Sequence, residues 1–301
     1  MTNLQPPERP ANCAPLLALL IAVSPVAHSL AQADEPRVLR DLEYARVGEH
    51  ALKLDLRLPA NSRNPAPLLI YIHGGAWRSG SKTEVPVSGL LEKGFAIASV
   101  DYRLTPIAPF PANVHDIKAS IRFLRANAGE FGCDPKRFAI VGSSAGGHLA
   151  ALVGVSNGHT ELEGAVGAHR GVSSDVQAIV SFFGAANLQS ILGQSTPRGL
   201  SVRVPALQLL LDGQPDEKPA LARLASPVAH VDALDPPLLL IHGDADPQMP
   251  LEQSRELHAA YQTAKCPVEF VVLPGSGHGG KEFYDVERLA LVENFLRKHL
   301  H

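Results

Sequence analysis

The apolar residues of this chain fall into short, nearly continuous runs that are separated by stretches with helical spacing. The runs lie at residues 67–72, 95–100, 138–141, 176–183, 237–241 and 268–273. Unbroken apolar runs of this length are typical of parallel strands that are buried on both faces. Amphipathic helices are predicted at residues 114–128, 251–264 and 284–300. Because strands and helices alternate, we predict a doubly wound α/β fold with a mostly parallel sheet.

Two stretches depart from this alternation. Residues 51–58 alternate apolar and charged positions with period two, which predicts an antiparallel pair at the N-terminal edge of the sheet, exposed on one face. Residues 185–225 contain Gly193, Pro197 and Pro205 and a short apolar run at 209–211. We interpret this second stretch as a small cap inserted after a strand. The sequence contains no linker that would divide the remainder, so residues 34–301 are predicted to form one domain.

The first residues have the pattern of a secretory signal peptide. Arg9 precedes an apolar run at residues 14–23, and Ala31-Gln32-Ala33 supplies the small-x-small pattern that signal peptidase recognises. The run is shorter than the roughly 20 residues that a transmembrane helix needs, so no stable membrane anchor is expected. We therefore predict a signal peptide at residues 1–33, cleavage after Ala33, and a secreted or periplasmic protein.

Composition narrows the classes of partner and cofactor. The 301 residues include 27 Lys and Arg against 30 Asp and Glu, and a formal net charge of -3 offers no broad positive field for nucleic acid. Cys133 and Cys266 each precede a different predicted strand, so we expect neither a disulfide nor a metal site. No His, Cys and Asp cluster has metal-ligand spacing, and no Gly-rich phosphate loop precedes a lysine. No cofactor is expected.

A candidate nucleophile follows the apolar run at residues 138–141. In a doubly wound sheet, reactive groups lie at the carboxyl ends of the strands. The chain there reads Gly142-Ser143-Ser144-Ala145-Gly146 and continues into a helical stretch. This Gly-x-Ser-x-Gly pattern between a strand and a helix is typical of a nucleophile elbow, a tight turn that exposes the central serine. Ser144 is therefore the candidate nucleophile.

A serine hydroxyl needs a base to remove its proton and a carboxylate to fix the tautomer of that base. The order along the chain in this kind of sheet is serine, acid, histidine. Residues 274–280, after the last apolar run, contain His278 in a Gly-rich loop, which we predict to be the base. Residues 242–247 contain Asp244 and Asp246. We prefer Asp246 as the acid, because it lies farther out on the loop and precedes Pro247, and we expect Asp244 to brace the loop.

Backbone amides for an oxyanion are expected after the run at residues 67–72. The chain there reads His73-Gly74-Gly75-Ala76-Trp77. In this fold the corresponding loop donates amides to the negatively charged oxygen, together with the residue after the nucleophile. We therefore predict that the oxyanion hole consists of Gly75, Ala76 and Ala145.

Several of these motifs together resemble a known family. They are His73-Gly74-Gly75-Ala76-Trp77, Asp101-Tyr102-Arg103-Leu104, residues 131–135, residues 142–151 and His242-Gly243-Asp244-Ala245-Asp246. The sequence is similar, over roughly residues 42–301, to α/β-hydrolase esterases of the type that includes bifunctional feruloyl and acetylxylan esterases. This resemblance implies Ser144, Asp246 and His278 as the triad.

The His-Gly-Gly-x-Trp loop is also similar to that of kynurenine formamidases. In that family the second glycine and the next residue supply the oxyanion amides, which matches Gly75 and Ala76. The sequence departs from the esterases at Met249, where valine more often precedes the proline at position 250.

Other residues of these motifs have simpler interpretations. We expect Arg103 and Asp101 to form a buried ion pair or to brace the loop rather than to contact substrate. We expect His148, one helical turn after Ser144, to be a packing residue. Aromatic residues near the strand ends are candidates for a substrate pocket, namely Trp77, Tyr102 and Phe182, with Phe110 and Phe183 as further candidates.

The sequence thus predicts a serine carboxylic-ester hydrolase that acts on short-chain acyl or feruloyl esters, as small molecules or on plant polysaccharide. One alternative is an arylformamidase like the kynurenine formamidases. A second alternative, from another class, is a catalytically dead hydrolase that serves as a binding module.

Overall fold

Eight strands form one sheet in the described part of this computed structural model, which comprises residue 2, residues 36–60 and residues 64–300. In chain order they are β1 (Arg37–Val47), β2 (His50–Leu58), β3 (Ala66–Ile72), β4 (Ala96–Val100), β5 (Cys133–Ser143), β6 (Ala178–Phe182), β7 (Leu238–Gly243) and β8 (Val268–Leu273). The spatial order is β1-β2-β4-β3-β5-β6-β7-β8. The pairs β1–β2 and β2–β4 are antiparallel, and the remaining pairs are parallel. The predicted mostly parallel sheet with an antiparallel N-terminal edge is confirmed.

The helices of the described residues lie between the strands and after the last one. They are α1 (Ala112–Ala126), α2 (Ala128–Phe131), α3 (Ala145–Gly154), α4 (Thr160–Glu163), α5 (Ile191–Gln194), α6 (Pro197–Leu211), α7 (Pro219–Leu224), α8 (Leu251–Ala264) and α9 (Val286–His299). Short 3-10 segments occur at Ser88–Lys93, Pro227–Ala229 and Lys281–Phe283. Helix α8 has the predicted bounds, whereas the helix predicted at 114–128 is divided between α1 and α2 at Asn127.

Alternate residues of the central strands pack on opposite faces of the sheet. Leu68 and Ile70 of β3 face a core that includes residues of α1, α3 and α8, whereas Leu69 and Tyr71 face a second core with α9. Burial on both faces explains the unbroken apolar runs, because a strand with no solvated face has no polar positions.

The edge pair is less exposed than the alternating pattern predicted. Strand β2 lies between β1 and β4, and the side chain of Asp55 is only 1% exposed. Lys82 Nζ lies 2.7 Å from Asp55 Oδ1, and the backbone N–H of Asp41 donates to the same oxygen at 2.9 Å. Burial raises the pKa of Asp55, but the bonds from Lys82 and Asp41 outweigh it and leave the pKa below its ordinary value. The prediction of a solvated face is therefore wrong at this position, where an ion pair replaces water.

Helices α5, α6 and α7 all fall within residues 185–225, the predicted cap, between β6 and β7. The hydroxyl of Thr196, which caps α6 by accepting the N–H of Gly199, donates to the carbonyl of Pro247 at 2.6 Å. At the other end of α6 the carbonyl of Leu210 accepts the N–H of Phe110 at 2.9 Å. The inserted helix α6 is thus fixed at both ends to loops at the carboxyl edge of the sheet.

The predicted signal peptide, residues 1–33, lies outside the described residues except for residue 2. The elements given above belong to the compact unit Asp34–His301. Among the residues that the structure describes, no helix has both the length and the apolar character needed to cross a bilayer.

The turn between β5 and α3 requires an unusually close backbone approach. A Cβ atom on Gly146 would lie 2.0 Å from the carbonyl oxygen of Ile72, and one on Gly142 would lie 2.2 Å from the carbonyl oxygen of Gly146. Real Cβ atoms do not come this close to backbone atoms, so both positions need glycine. The two glycines bring the start of α3 against the end of β3, next to Ser144.

We expect Gly146→Ala to lower the free energy of unfolding by about 3 kcal/mol or more, because the methyl group must displace backbone of β3. Chemical denaturation measured by circular dichroism checks this. The matched control is Gly129→Ala in α2, where a Cβ would meet nothing within 4 Å. The control should be neutral or slightly stabilising. Equal effects of the two substitutions would contradict the close approach.

Candidate active site

Ser144 lies in a strained turn at the carboxyl end of β5. Its φ of 55° and ψ of -119° are unusual for a residue other than glycine. The turn is held in place by the Ser144 N–H, which donates to the carbonyl of Phe182 at 2.9 Å, and by the Ser144 carbonyl, which accepts the N–H of His148 at 3.0 Å. Strain of this kind persists only where the surrounding structure enforces it, and it is frequent at functional sites.

The structure brings the three predicted residues Ser144, His278 and Asp246 together. The Nε2 atom of His278 lies 2.8 Å from the Ser144 Oγ, and its Nδ1 lies 2.6 Å from the Asp246 Oδ2. Residues 144 and 278 are 134 positions apart in the chain. The sheet joins them because β5 and the loop after β8 end at the same edge. In this arrangement the carboxylate can hold a proton on Nδ1, which leaves Nε2 free to accept one from the serine.

The carboxylate of Asp246 is fully buried and held from several sides. Its Oδ1 accepts the backbone N–H groups of Gln248 and Met249, each at 2.8 Å. Its Oδ2 faces His278 and also lies 3.4 Å from the Nε2 of His242, a buried residue whose Nδ1 lies 2.7 Å from the Ser254 hydroxyl. Burial alone would raise the pKa of Asp246. Hydrogen bonds from the two histidines and from the backbone lower it by more than burial raises it, so the net shift is downward and the group stays ionised.

Asp244 has a different position from Asp246. Its Oδ1 accepts the backbone N–H of Gly275 at 2.6 Å, and its side chain is exposed. It therefore connects the loop after β7 to the loop after β8, which carries His278. This contact is the loop brace predicted for Asp244, and it does not involve the imidazole.

The predicted oxyanion residues lie around Ser144. A Cβ on Gly74 would lie 3.3 Å from the Cβ of Ser144, so the loop after β3 approaches the serine closely. Gly75 and Ala76 border a cavity of about 390 Å³ together with Ser144 and His278. Ala145 is the first residue of α3, where a backbone N–H has no partner within the helix.

Trp77 and His148 connect the loop after β3 to α3 and to the inserted segment. Trp77 is fully buried, and its Nε1 donates to the Nδ1 of His148 at 3.0 Å. The other ring nitrogen of His148 therefore carries the proton and donates to the carbonyl of Ala225 at 2.7 Å. Burial lowers the pKa of His148 to about 4, so the ring is neutral near pH 7. His148 is the packing residue that the sequence predicted, and it also fixes Trp77.

The three aromatic residues predicted to line the substrate pocket do not line it. Trp77 is buried as described above. Tyr102 is 3% exposed, stacks on His73 at 4.5 Å between ring centroids, and donates its hydroxyl to the carbonyl of that residue. Phe182 is fully buried against Tyr284 on the other side of the sheet. This prediction is wrong because strand-end aromatics fill the two cores.

Other residues line the cavity instead. Phe183 contributes its ring, whose centroid lies 4.9 Å from that of His278. The remaining side chains come from the loop after β3, from α6 and from the loop after β7, and they include Arg78, Val202, Arg203 and Gln248. Sequence reasoning named Phe183 only as a further candidate, and no local pattern marks the residues of α6.

Arg103 and Asp101 do not pair with each other, but each makes one of the two predicted kinds of contact, a buried ion pair and a loop brace. Arg103 donates to both carboxylate oxygens of Asp116, at 2.7 and 2.8 Å. Asp101 instead accepts the backbone N–H of Lys82 at 2.7 Å. Asp116 is completely buried in α1, so the bidentate pair anchors that helix to the segment after β4.

Cys133 and Cys266 are free thiols, and both are buried. Burial raises the pKa of Cys133 to about 12. Within residues 36–60 and 64–300, no three His, Cys, Asp or Glu side chains are grouped so that they could hold a metal ion.

The doubly wound sheet and the Ser144 elbow at its carboxyl edge define an α/β hydrolase. Comparison with known proteins identifies the family within that class. The profile of the BD-FAE family matches residues 54–261, and the chain belongs to this esterase family. The resemblance to esterases that the sequence motifs indicated is therefore confirmed.

Solved structures and curated relatives agree with this assignment. A truncated carbohydrate esterase from gut microbiota is 31% identical, with a TM-score of 0.81 over 89% of this chain and 97% of that chain. A thermophilic esterase of the planctomycete Thermogutta terrifontis, solved with bound propionate, is 27% identical, with a TM-score of 0.71 over 88% of this chain and 94% of that chain. Esterase LipC of Mycobacterium tuberculosis is 33% identical over 71% of this chain and 53% of its own length. The chain spans about half the length of the curated relatives it matches.

Proposed function

We propose that this protein is a serine carboxylic-ester hydrolase with Ser144, His278 and Asp246 as its catalytic triad. The observation that supports this assignment most directly is the geometry of His278. One ring nitrogen lies 2.8 Å from the Ser144 hydroxyl, and the other lies 2.6 Å from the buried Asp246 carboxylate. The esterase relatives support the same reaction class.

In this mechanism the Ser144 Oγ attacks the carbonyl carbon of the ester while His278 accepts the serine proton. The negative charge that develops on the carbonyl oxygen is stabilised by the backbone amides of Gly75, Ala76 and Ala145. The imidazolium then donates its proton to the leaving alcohol, and an acyl group remains on Ser144. Water attacks this acyl-enzyme with His278 again acting as base, which releases the acid and restores the serine.

The substrate class that we propose is a short-chain acyl or feruloyl ester, either on a small molecule or on plant polysaccharide. A cavity of about 390 Å³ has room for a small acyl group, and the ring of Phe183 offers an apolar contact. The relative solved with propionate and the relative described as a carbohydrate esterase support short acyl groups and sugar esters. Export, predicted from Ala31-Gln32-Ala33, would give access to such esters outside the cell.

Asp246→Asn should reduce kcat on 4-nitrophenyl acetate by about 10⁴, because the amide favours the wrong tautomer of the catalytic histidine. The matched control is Asp244→Asn, which weakens the bond from the Gly275 N–H by replacing a charged acceptor with a neutral amide oxygen. We expect that control to lower the free energy of unfolding by about 1 kcal/mol, with a far smaller loss of kcat. Steady-state kinetics and denaturation of both variants make the comparison. A larger kcat loss in the Asp244 variant would contradict the assignment of the acid.

A panel of substrates tests the substrate class. We expect kcat/KM for 4-nitrophenyl esters to be highest from acetate to butyrate and lower at octanoate. Each further methylene gains about 0.8 kcal/mol only if it is buried, and a shallow cavity cannot bury many of them. Release of acetate or ferulate from xylan fragments should be faster than hydrolysis of N-formylkynurenine. Dominant turnover of N-formylkynurenine would identify an arylformamidase. Failure to hydrolyse any of these substrates, together with failure to react with a fluorophosphonate probe, would identify a binding module.

Export predicts that protein isolated from its native host begins at Asp34. N-terminal sequencing of the mature protein checks this. Recovery of intact Met1 or Thr2 on soluble cytoplasmic protein would contradict export and remove the support it gives to extracellular substrates.

A further inference from the structure

Arg203 on α6 has a buried guanidinium group with two nitrogen atoms that lack hydrogen-bond partners. The residue is only 1% exposed, and its Nε and Nη1 atoms have no hydrogen-bond partner among the described residues. A buried unpaired charge is costly, since its donors have lost water without gaining an acceptor. The same residue lines the cavity that contains Ser144 and His278. A buried cation with unsatisfied donors beside Ser144 needs an explanation.

The protein holds Arg203 in this position without neutralising it. The N-terminal end of α6 is attached through Thr196 to the loop after β7, as described above, and the guanidinium lies 5.9 Å from the ring centroid of Trp77. Burial lowers the pKa of Arg203 to about 10, and attraction by Asp246 opposes that shift. The side chain is therefore protonated at neutral pH. The carboxylate of Asp246 is itself occupied by His278 and by two backbone amides.

The charged side chains that line the cavity, Arg78 and Arg203, are both arginines. Arg78, which is exposed, also lines the cavity, and no Asp or Glu is among the described residues that border it. Two cations at one small site favour a negatively charged ligand and disfavour a positively charged one. Arginine in particular presents parallel N–H groups that match the two oxygens of a carboxylate.

From the unpaired buried guanidinium and the cationic lining of the cavity, we propose that Arg203 binds a carboxylate carried by the ester substrate. The preferred substrates would then be esters with an anionic group close to the scissile bond, in either the acyl or the alcohol part. This inference rests on the proposed function and narrows its substrate class. It gives Arg203 a role in specificity, whereas the triad performs the reaction.

The experiment uses pairs of esters that have nearly the same shape and differ in charge. Methyl hydrogen succinate against methyl succinamate tests a carboxylate in the acyl part, and 4-acetoxybenzoate against 4-acetoxybenzamide tests one in the alcohol part. For each pair the ratio of kcat/KM for the anionic ester to that for the amide is measured at pH 7.5. We expect the wild-type protein to prefer the anionic ester in at least one pair by about tenfold to a hundredfold.

Arg203→Met should bring that ratio close to one, and Arg203→Lys should retain part of the preference because it keeps the charge. The matched control is Arg198→Met, an exposed arginine on the same helix, which should leave the ratio unchanged. The thermal midpoint of Arg203→Met should not fall, because the substitution removes a buried charge without a partner. A purely structural arginine would give a lower midpoint and an unchanged ratio.

The outcomes separate this inference from the function on which it rests. A wild-type ratio near or below one in both pairs, with the neutral esters hydrolysed, would overturn the role of Arg203 and leave the esterase proposal intact. A preference that survives in Arg203→Met would also overturn it. If the wild-type protein hydrolysed none of the four esters or the 4-nitrophenyl esters, the proposed function itself would fail, and this inference with it.

Discussion

The close approach of backbone at the turn after β5 is the constraint on which the site depends. Gly146 lies against the end of β3, so α3 begins directly beside the loop that follows that strand. This contact places the Ser144 side chain next to Gly75 and Ala76 and puts the N-terminus of α3 at the same point. A larger residue at the turn would separate the serine from the amides that are proposed to stabilise the oxyanion. The reacting geometry therefore originates in backbone packing between two adjacent parallel strands.

Sequence patterns were sufficient for the parts of the protein that depend on local chemistry and strand order. Ser144, His278 and Asp246 each follow a recognisable apolar run, and parallel strands bring the ends of those runs to one edge. The choice between Asp244 and Asp246 could also be argued from position in the loop. Each of these inferences used only a short segment and a general rule of sheet topology.

Tertiary contacts between distant segments could not be predicted in this way. Arg103 and Asp101 are close in sequence, but the partner of Arg103 is Asp116 on α1. Trp77 was expected at the pocket, but a buried histidine 71 positions away accepts its N–H and keeps it in the core. No sequence pattern marks Arg203, because its proposed role depends on the attachment of α6 to the loop after β7, beside the cavity. Periodicity identifies an inserted segment but does not specify which of its side chains face the cavity.

Four of the eight non-glycine residues with positive φ in the described part of the chain lie where the chemistry is proposed to occur. Ala76, Trp77, Ser144 and Phe183 all have positive φ although none is glycine, and all lie on loops or turns at the carboxyl edge of the sheet. Each such residue costs of the order of 1–3 kcal/mol, so neighbouring contacts must over-determine its conformation. Those contacts are specific: the bond from Trp77 to His148, the bond from the Ser144 N–H to Phe182, and the bond from the Phe183 N–H to Ile241 at 2.8 Å. Burial of apolar side chains in the two cores offsets the free-energy cost of this strain. The strained turns therefore keep the geometry of the site, which a relaxed loop would not maintain.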